Sequence, residues 1–118
     1  MKAFPASEIY GEIRQVLGDT TPGAYVISDA KLLINVNAAI RALFRDAPTS
    51  SYTSPTAFRD EADISVFEID TATDIEVDSY WKQALVYFTC ARCFYDDNRN
   101  TASIERGDAL MKKYKDAL

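Results

Sequence analysis

Cys90 and Cys93, three residues apart, are the first side chains in this sequence that could do chemistry. A zinc site needs a second pair of ligands, and the chain has no other cysteine and no histidine. A thioredoxin-type pair belongs at a helix N-terminus after a strand, where the dipole lowers the thiol pKa. Cys90-Thr-Ala-Cys93 lies deep inside the most apolar run instead, so both cysteines read as small buried hydrophobes. A metal shared across a symmetric assembly, or a small enzyme using the two thiols, is the competing reading. Asp96, Asn98 and Asn100 match the first three ligand positions of a calcium loop. The match then fails, because Thr101 stands where that loop needs glycine and Gly107 where it needs the closing glutamate. The end of one helix and the cap of the next account for the same residues.

Carboxylates are the other reactive inventory. Asp60, Glu61, Asp63, Glu68, Asp70, Asp74, Glu76 and Asp78 fall within residues 60–78 with no Lys or Arg among them. Paired acids can hydrolyse glycosides or hold magnesium, but nothing here fixes two of them at a defined separation. As a charge run the stretch is a solvated connection. Ile64, Val66, Phe67 and Ile69 are threaded through it, and a purely solvated loop has no need of them. That mixture points to an interaction segment. The absence of histidine removes the commonest general base, metal ligand and pH switch together. There is no glycine-rich phosphate loop and no nucleophile elbow. The residues therefore predict a protein that is not an enzyme, with no cofactor and no metal.

The bulk composition bounds the rest. A chain of 118 residues makes one domain, long enough to bury its own core, and 47% apolar with 26% charged residues is ordinary for a globule. With a formal charge of -5 and a pI near 4.6, the chain does not suit nonspecific DNA binding, which depends on clustered cations. No apolar signal core and no run of membrane-spanning length is visible, so a cytoplasmic origin and no membrane partner are expected.

Four helices must position these residues. The first is predicted over residues 7–18, capped by Ser7 with Glu8 in its first turn and stopped by Gly18. Ile9, Ile13, Val16 and Leu17 form its stripe. Turn chemistry follows over residues 19–24. Ser28 or Asp29 caps a second helix over 28–46, faced by Leu32, Leu33, Val36, Ile40, Leu43 and Phe44, and Pro48 ends the element. Asn37 falls inside that stripe, as an amide bonded to a neighbouring helix or loop, or as a ligand contact. Residues 49–56 read as loop. Ile64/Val66 and Ile75/Val77 alternate and could form a hairpin turning over residues 70–74, with Phe67 as a bulge. The third helix, over 78–96, is the centre of the chain. Trp81, Leu85, Phe88, Arg92 and Tyr95 recur on it at helical spacing, flanked by Ala84 and Ala91. A fourth helix over 101–117 repeats Ile104, Gly107, Met111, Tyr114 and Leu118, with Lys112, Lys113 and Lys115 in its last turns. The predicted fold is mainly α: one four-helix domain of two helix pairs, joined over residues 47–77 by a long acidic connection with room for a short β-hairpin.

This order resembles a known family. The first helix ends in Leu17-Gly18-Asp19, and after a turn comes Ser28-Asp-Ala-Lys-Leu-Leu-Ile-Asn-Val-Asn-Ala-Ala-Ile40, with Pro48 soon after. Later, Ile75-Glu-Val-Asp-Ser-Tyr-Trp-Lys-Gln-Ala-Leu-Val-Tyr87 leads into Ala91-Arg-Cys-Phe-Tyr-Asp-Asp97 and a closing helix. The pattern is similar to the small head–tail connector proteins of tailed bacteriophages, also called adaptor or head-completion proteins. In that family a Leu-Leu and Asn-Ala pattern marks the second helix, and the third follows an extended acidic or proline-bearing lead-in. This chain has Ile75-Glu-Val77 at the place where relatives often carry the proline.

The resemblance implies a structural virion protein. It would sit in the neck after assembly in the host cytoplasm, as a homo-oligomeric ring matching the portal's twelvefold symmetry. Its partners would be the portal protein, a tail or tail-completion protein and itself, with double-stranded DNA passing through unbound. It further implies that Asp60, Glu61, Asp63, Ile64, Val66, Phe67, Glu68, Ile69 and Asp70 meet a neighbouring subunit or the channel, and that Lys112, Lys113, Tyr114 and Lys115 meet the portal. An acidic wall suits a DNA passage, since like charge keeps DNA from sticking. The alternative is a small non-enzymatic regulatory module that captures a basic partner through the acidic segment.

Overall fold

A short strand, β1 (Phe4–Pro5), opens the chain in the computed structural model and runs straight into α1 (Ala6–Leu17). The structure describes residues 4–18, 27–54, 57–58, 74–75, 77–96 and 101–118. After α1 come α2 (Asp29–Asp46), a 3-10 turn at Pro48–Ser51, and the strands β2 (Tyr52–Ser54), β3 (Ala57–Phe58) and β4 (Asp74–Ile75). A second 3-10 turn at Ser79–Trp81 leads into α3 (Lys82–Asp96), and α4 (Thr101–Asp116) ends the chain. The architecture is mainly α, a four-helix domain. All three other helices lie against α3, α4 most extensively.

Helix ends follow local chemistry with one exception. Gly18 takes φ 70°, and its N–H reaches the carbonyls of Arg14 and Gln15, which closes α1 with the left-handed residue that glycine adopts without penalty. Ser28, not Asp29, caps α2: its hydroxyl accepts the Lys31 N–H at 3.2 Å. Asp29 is thereby left for another partner. At the far end Ala47 N–H and the Ser50 hydroxyl both reach the Leu43 carbonyl, at 2.8 and 3.3 Å. The exception is α1, which begins at Ala6 rather than at a Ser7 cap. Pro5 occupies the cap position, and no side chain caps the helix. Pairing of β1 with β4 fixes the entry of the chain there.

The strands differ from the predicted hairpin. β4 pairs antiparallel with β1, Ile75 opposite Phe4 and Asp74 opposite Pro5. Ile75 thus meets the N-terminus, and the proposed partners Ile64 and Val66, with Phe67, lie outside the described residues. A second antiparallel pair, Tyr52 opposite Phe58 and Ser54 opposite Ala57, occupies part of the stretch read as loop. Strands of two or three residues are too short to show a period of two, and Ser, Thr and Pro around them mask the signal.

The core joins Ile9 and Ile13 of α1, Leu32, Val36, Ile40 and Leu43 of α2, Leu85, Val86 and Cys90 of α3, and Tyr114 of α4. Phe4 and Val77 close it from the strand end. On α3 the buried side is rotated from the predicted stripe. Leu85, Val86, Thr89, Cys90 and Cys93 are inside, whereas Trp81, Phe88, Arg92 and Tyr95 are only half-buried. The reason is contact on two flanks: α1 and α2 cover the Cys90 and Cys93 side, and α4 covers the Phe88 and Tyr95 side. Trp81 packs against the core and meets the exposed Tyr80 edge-on at 4.9 Å.

The register of α4 is likewise displaced. Ser103, Gly107 and Tyr114 are buried, while Ile104 and Leu118 are 43% and 41% exposed. Gly107 sets this register, because a Cβ there would stand 2.6 Å from Tyr95 Cε1. Tyr95 lies over the glycine and donates its hydroxyl to Asp108 Oδ1 at 2.7 Å. Gly107→Ala is expected to destabilise the protein by about 1 kcal/mol, as overpacking of about 1–3 kcal/mol outweighs a helix-propensity gain of about 1 kcal/mol. In a Tyr95→Ala background the same substitution should become stabilising. Chemical denaturation of the four proteins in this cycle checks both signs.

Candidate interaction surfaces

The two thiols are held inside by both flanking helices. Cys90 donates to the Ile13 carbonyl at 3.8 Å, and Cys93 Sγ accepts from Asn35 Nδ2 at 3.3 Å. Asn35 Oδ1 in turn accepts from Arg92 Nε at 3.2 Å, so a buried amide links α2 to two positions on α3. Asn35 is a core residue that the apolar pattern missed. A polar side chain between Ile34 and Val36 looks like a surface position until its hydrogen bonds are known.

Both cysteines are free and buried. Burial pushes the Cys90 thiol from 9.0 up to about 12, with Cys93 adding a smaller upward push, and burial also raises Cys93. A thiol in that state is a poor nucleophile. Neither cysteine should react with Ellman's reagent at pH 8 in the native protein, and both should react once it is unfolded; prompt native reaction would contradict the buried placement. The same shifts set an alkaline limit. Unfolded thiols lose their protons near 9.0 and Tyr10 near 10.0, while folded Cys90 and Tyr10 keep theirs to about 12. Stability is therefore fully present below pH 9 and falls as pH rises from about 9 to 12. Thermal melts across that range, with Cys90→Ala as control, read the slope.

Asn37 is buried too, and its Oδ1 has no hydrogen-bond partner among the described residues. Among the described residues no group of three or more potential metal ligands comes together. Asn98 and Asn100 of the calcium-loop match lie outside the described residues.

The predicted interaction residues divide into three groups. Asp60, Glu61, Asp63, Ile64, Val66, Phe67, Glu68, Ile69 and Asp70 all lie outside the described residues. Lys112, Lys113 and Lys115 are exposed on the last turns of α4, with the Lys113 ammonium 5.8 Å from the Tyr87 ring centroid. Tyr114 departs from its predicted role. It is 1% exposed, packs edge-on against Phe88 at 5.0 Å and donates to Asp46 Oδ2 at 2.8 Å. Its ring fills the interior and presents nothing to a partner. The cause is the helical angle, which turns residue 114 away from its lysine neighbours and toward α3.

A shallow groove of about 430 Å³ runs along the outside of α1, lined by Ser7, Glu8, Gly11, Glu12, Gln15 and Lys82. Lys82 Nζ bridges Glu8 at 3.6 Å and Glu12 at 3.3 Å. This ion pairing between α1 and α3 sets one cation against the two carboxylates that line the groove. Another polar tie escaped the sequence reading. Arg14, 6% exposed, donates to the Ile27 carbonyl through Nη1 and Nη2, both at 3.2 Å, and to Asp29 Oδ1 at 2.6 Å. The signal was present in outline, since Arg14 lies one turn from Tyr10 and Gly18 on the flank of the apolar stripe.

Fold and surface together define a mainly α four-helix domain. No helix among the described residues is long and apolar enough to cross a membrane. Comparison with protein-family models, with curated proteins and with solved structures finds no match.

Proposed function

We propose that the chain is a head–tail adaptor of a tailed-phage particle, assembling as a ring on the portal and joining it to the tail. The observation that carries this reading is the order of elements. A glycine-stopped helix, a serine-capped helix, a long acidic connection and two closing helices follow one another as in the adaptor family. The exposed lysines at the end of α4 support a docking role for that helix, with Lys112, Lys113 and Lys115 facing the portal and Tyr114 anchoring the helix from inside. The net charge of -5 suits a passage through which DNA slides without adhering. In this reading the four helices act as a rigid body and the connection reaches the adjacent subunit.

Co-purification with a portal ring, followed by cryo-EM of the neck complex, tests the proposal. A ring of this protein seated on the portal is the expected result. Failure to bind any portal or tail component overturns it. Capture of a basic soluble protein with no ring assembly would favour the regulatory module instead.

A further inference from the structure

The last helix carries a line of apolar side chains that its own chain leaves open. On α4 the residues Ile104, Gly107, Met111, Tyr114 and Leu118 alternate by steps of three and four. Gly107 and Tyr114 are buried, against Tyr95 and Phe88 of α3. Ile104, Met111 and Leu118 form the other line of the repeat, at heptad spacing. Leu118 stands in the turn that closes the helix, its N–H on the Lys115 carbonyl at 3.3 Å. Met111 is half-buried, whereas Ile104 and Leu118 are two of the five exposed large hydrophobic side chains among the described residues. Scattered singly such residues would mean little, but aligned over roughly 21 Å of one helix they make a seam.

Two charges run beside it. Asp108 follows Ile104 by four residues and Lys115 follows Met111 by four, and both are exposed. They stand two turns apart, roughly 10.5 Å along the axis, too far to pair within the helix. Asp108 accepts the Tyr95 hydroxyl on only one of its two oxygens. Lys112 and Lys113 follow Met111 by one and two residues, which turns them away from the seam.

The order of these groups identifies the occupant. The acid lies toward the start of α4, the base toward its end, and Met111 falls midway. A second α4 laid antiparallel sets Ile104 opposite Leu118, Met111 opposite Met111, and Asp108 opposite Lys115 at both ends. A parallel copy would set acid on acid and base on base. Antiparallel packing also opposes the two helix dipoles favourably. We propose that the α4 seam pairs with the same seam of a second copy of this chain, antiparallel about a twofold axis at Met111. The flexible thioethers can adapt to each other there. One helix from each copy is a small contact, so the pairing is weak and reversible. The inference goes beyond the adaptor reading and concerns the protein before it meets a portal. Lys115 belongs both to the seam and to the lysines assigned to the portal, so the pair must open before α4 docks in full.

Sedimentation velocity of the full-length protein over a concentration series tests the pairing. Wild type should pass reversibly from monomer to dimer. Lys115→Glu sets acid against Asp108 twice per dimer and should weaken association at least tenfold. Asp108→Lys should do the same by opposing bases. An equimolar mixture of these two variants should recover association, and so should the protein carrying both changes. Ile104→Glu should also weaken it, while Lys112→Glu, with the same change in net charge as Lys115→Glu but off the seam, should not. Circular dichroism should show wild-type helical content throughout; if Asp108→Lys loses helix, the contrast between Lys115→Glu and Lys112→Glu still decides. A wild type that stays monomeric at every concentration overturns the proposal, as does a Lys115→Glu variant that dimerises like wild type or a folded mixture that fails to recover. Portal binding is read separately. Loss of the dimer with portal binding intact leaves the adaptor reading standing, and a dimer that binds no portal or tail component leaves the seam standing without it.

Discussion

Tyr114→Ala is expected to destabilise the protein by about 3–5 kcal/mol, the range for removing a large aromatic from a packed interior. Tyr114 heads the largest fully buried side chains, stacks edge-on with Phe88, and joins α4 to the far end of α2 through Asp46. Truncation leaves a cavity between three helices, and α4 meets the body of the protein chiefly through α3. Tyr114→Phe separates the two contributions. It keeps the ring and removes only the hydroxyl bond, and Asp46 is exposed and can be rehydrated, so the expected cost is about 1 kcal/mol. Urea denaturation of both variants decides the matter. Equal losses would mean that the hydrogen bond, rather than the ring, holds α4 in place. A loss under about 1 kcal/mol for the alanine variant would mean that α4 is not docked as described.

Arg14→Ala should cost about 2–3 kcal/mol, although α1 would keep its apolar stripe. The guanidinium is buried and makes three hydrogen bonds to the chain that enters α2, two to Ile27 and one to Asp29. Removing it leaves the Ile27 carbonyl without those donors and opens space beside the core. Asp29 has a 60% exposed side chain, so water recovers most of its solvation and the ion pair itself contributes little. Arg14→Met tests that division, because it retains the packing of the stem. It should lose about half as much as the alanine variant, and Asp29→Ala less than either. If Asp29→Ala matched Arg14→Ala, the charge pair rather than the buried donor would be the source of stability.

Much of the architecture was legible in local residue types. Gly18 after Leu17, Ser28 ahead of a long apolar stripe, and Pro48 beyond Asp46 marked the helix ends because capping depends on a few neighbouring residues. The pairing of the strands was not legible. β1 pairs with β4 some seventy residues later, and pairing between two-residue segments leaves no periodic trace. Ser7 was a sound N-cap by composition, yet α1 already begins at Ala6, directly after β1.

Of the residues that the resemblance set against a partner on α4, Lys112, Lys113 and Lys115 are exposed and Tyr114 is buried. The sequence did not mark Arg14, Asn35 or the exposure of Ile34. Each of these is defined by what lies opposite: a carbonyl for Arg14, a thiol and a guanidinium for Asn35, and open solvent for Ile34.

By itself, then, the sequence determined that there are four helices, where they stop, and that acids gather between the second and third. Those properties arise from interactions within a turn or two of chain, and residue type and spacing encode them directly. Tertiary structure alone decided which side of α3 is buried, that Gly107 admits the ring of Tyr95, and that Ile34 of α2 is left exposed. An amphipathic helix specifies only a broad apolar arc. The angle at which that arc is used depends on how many neighbours press on it, and α3 has three.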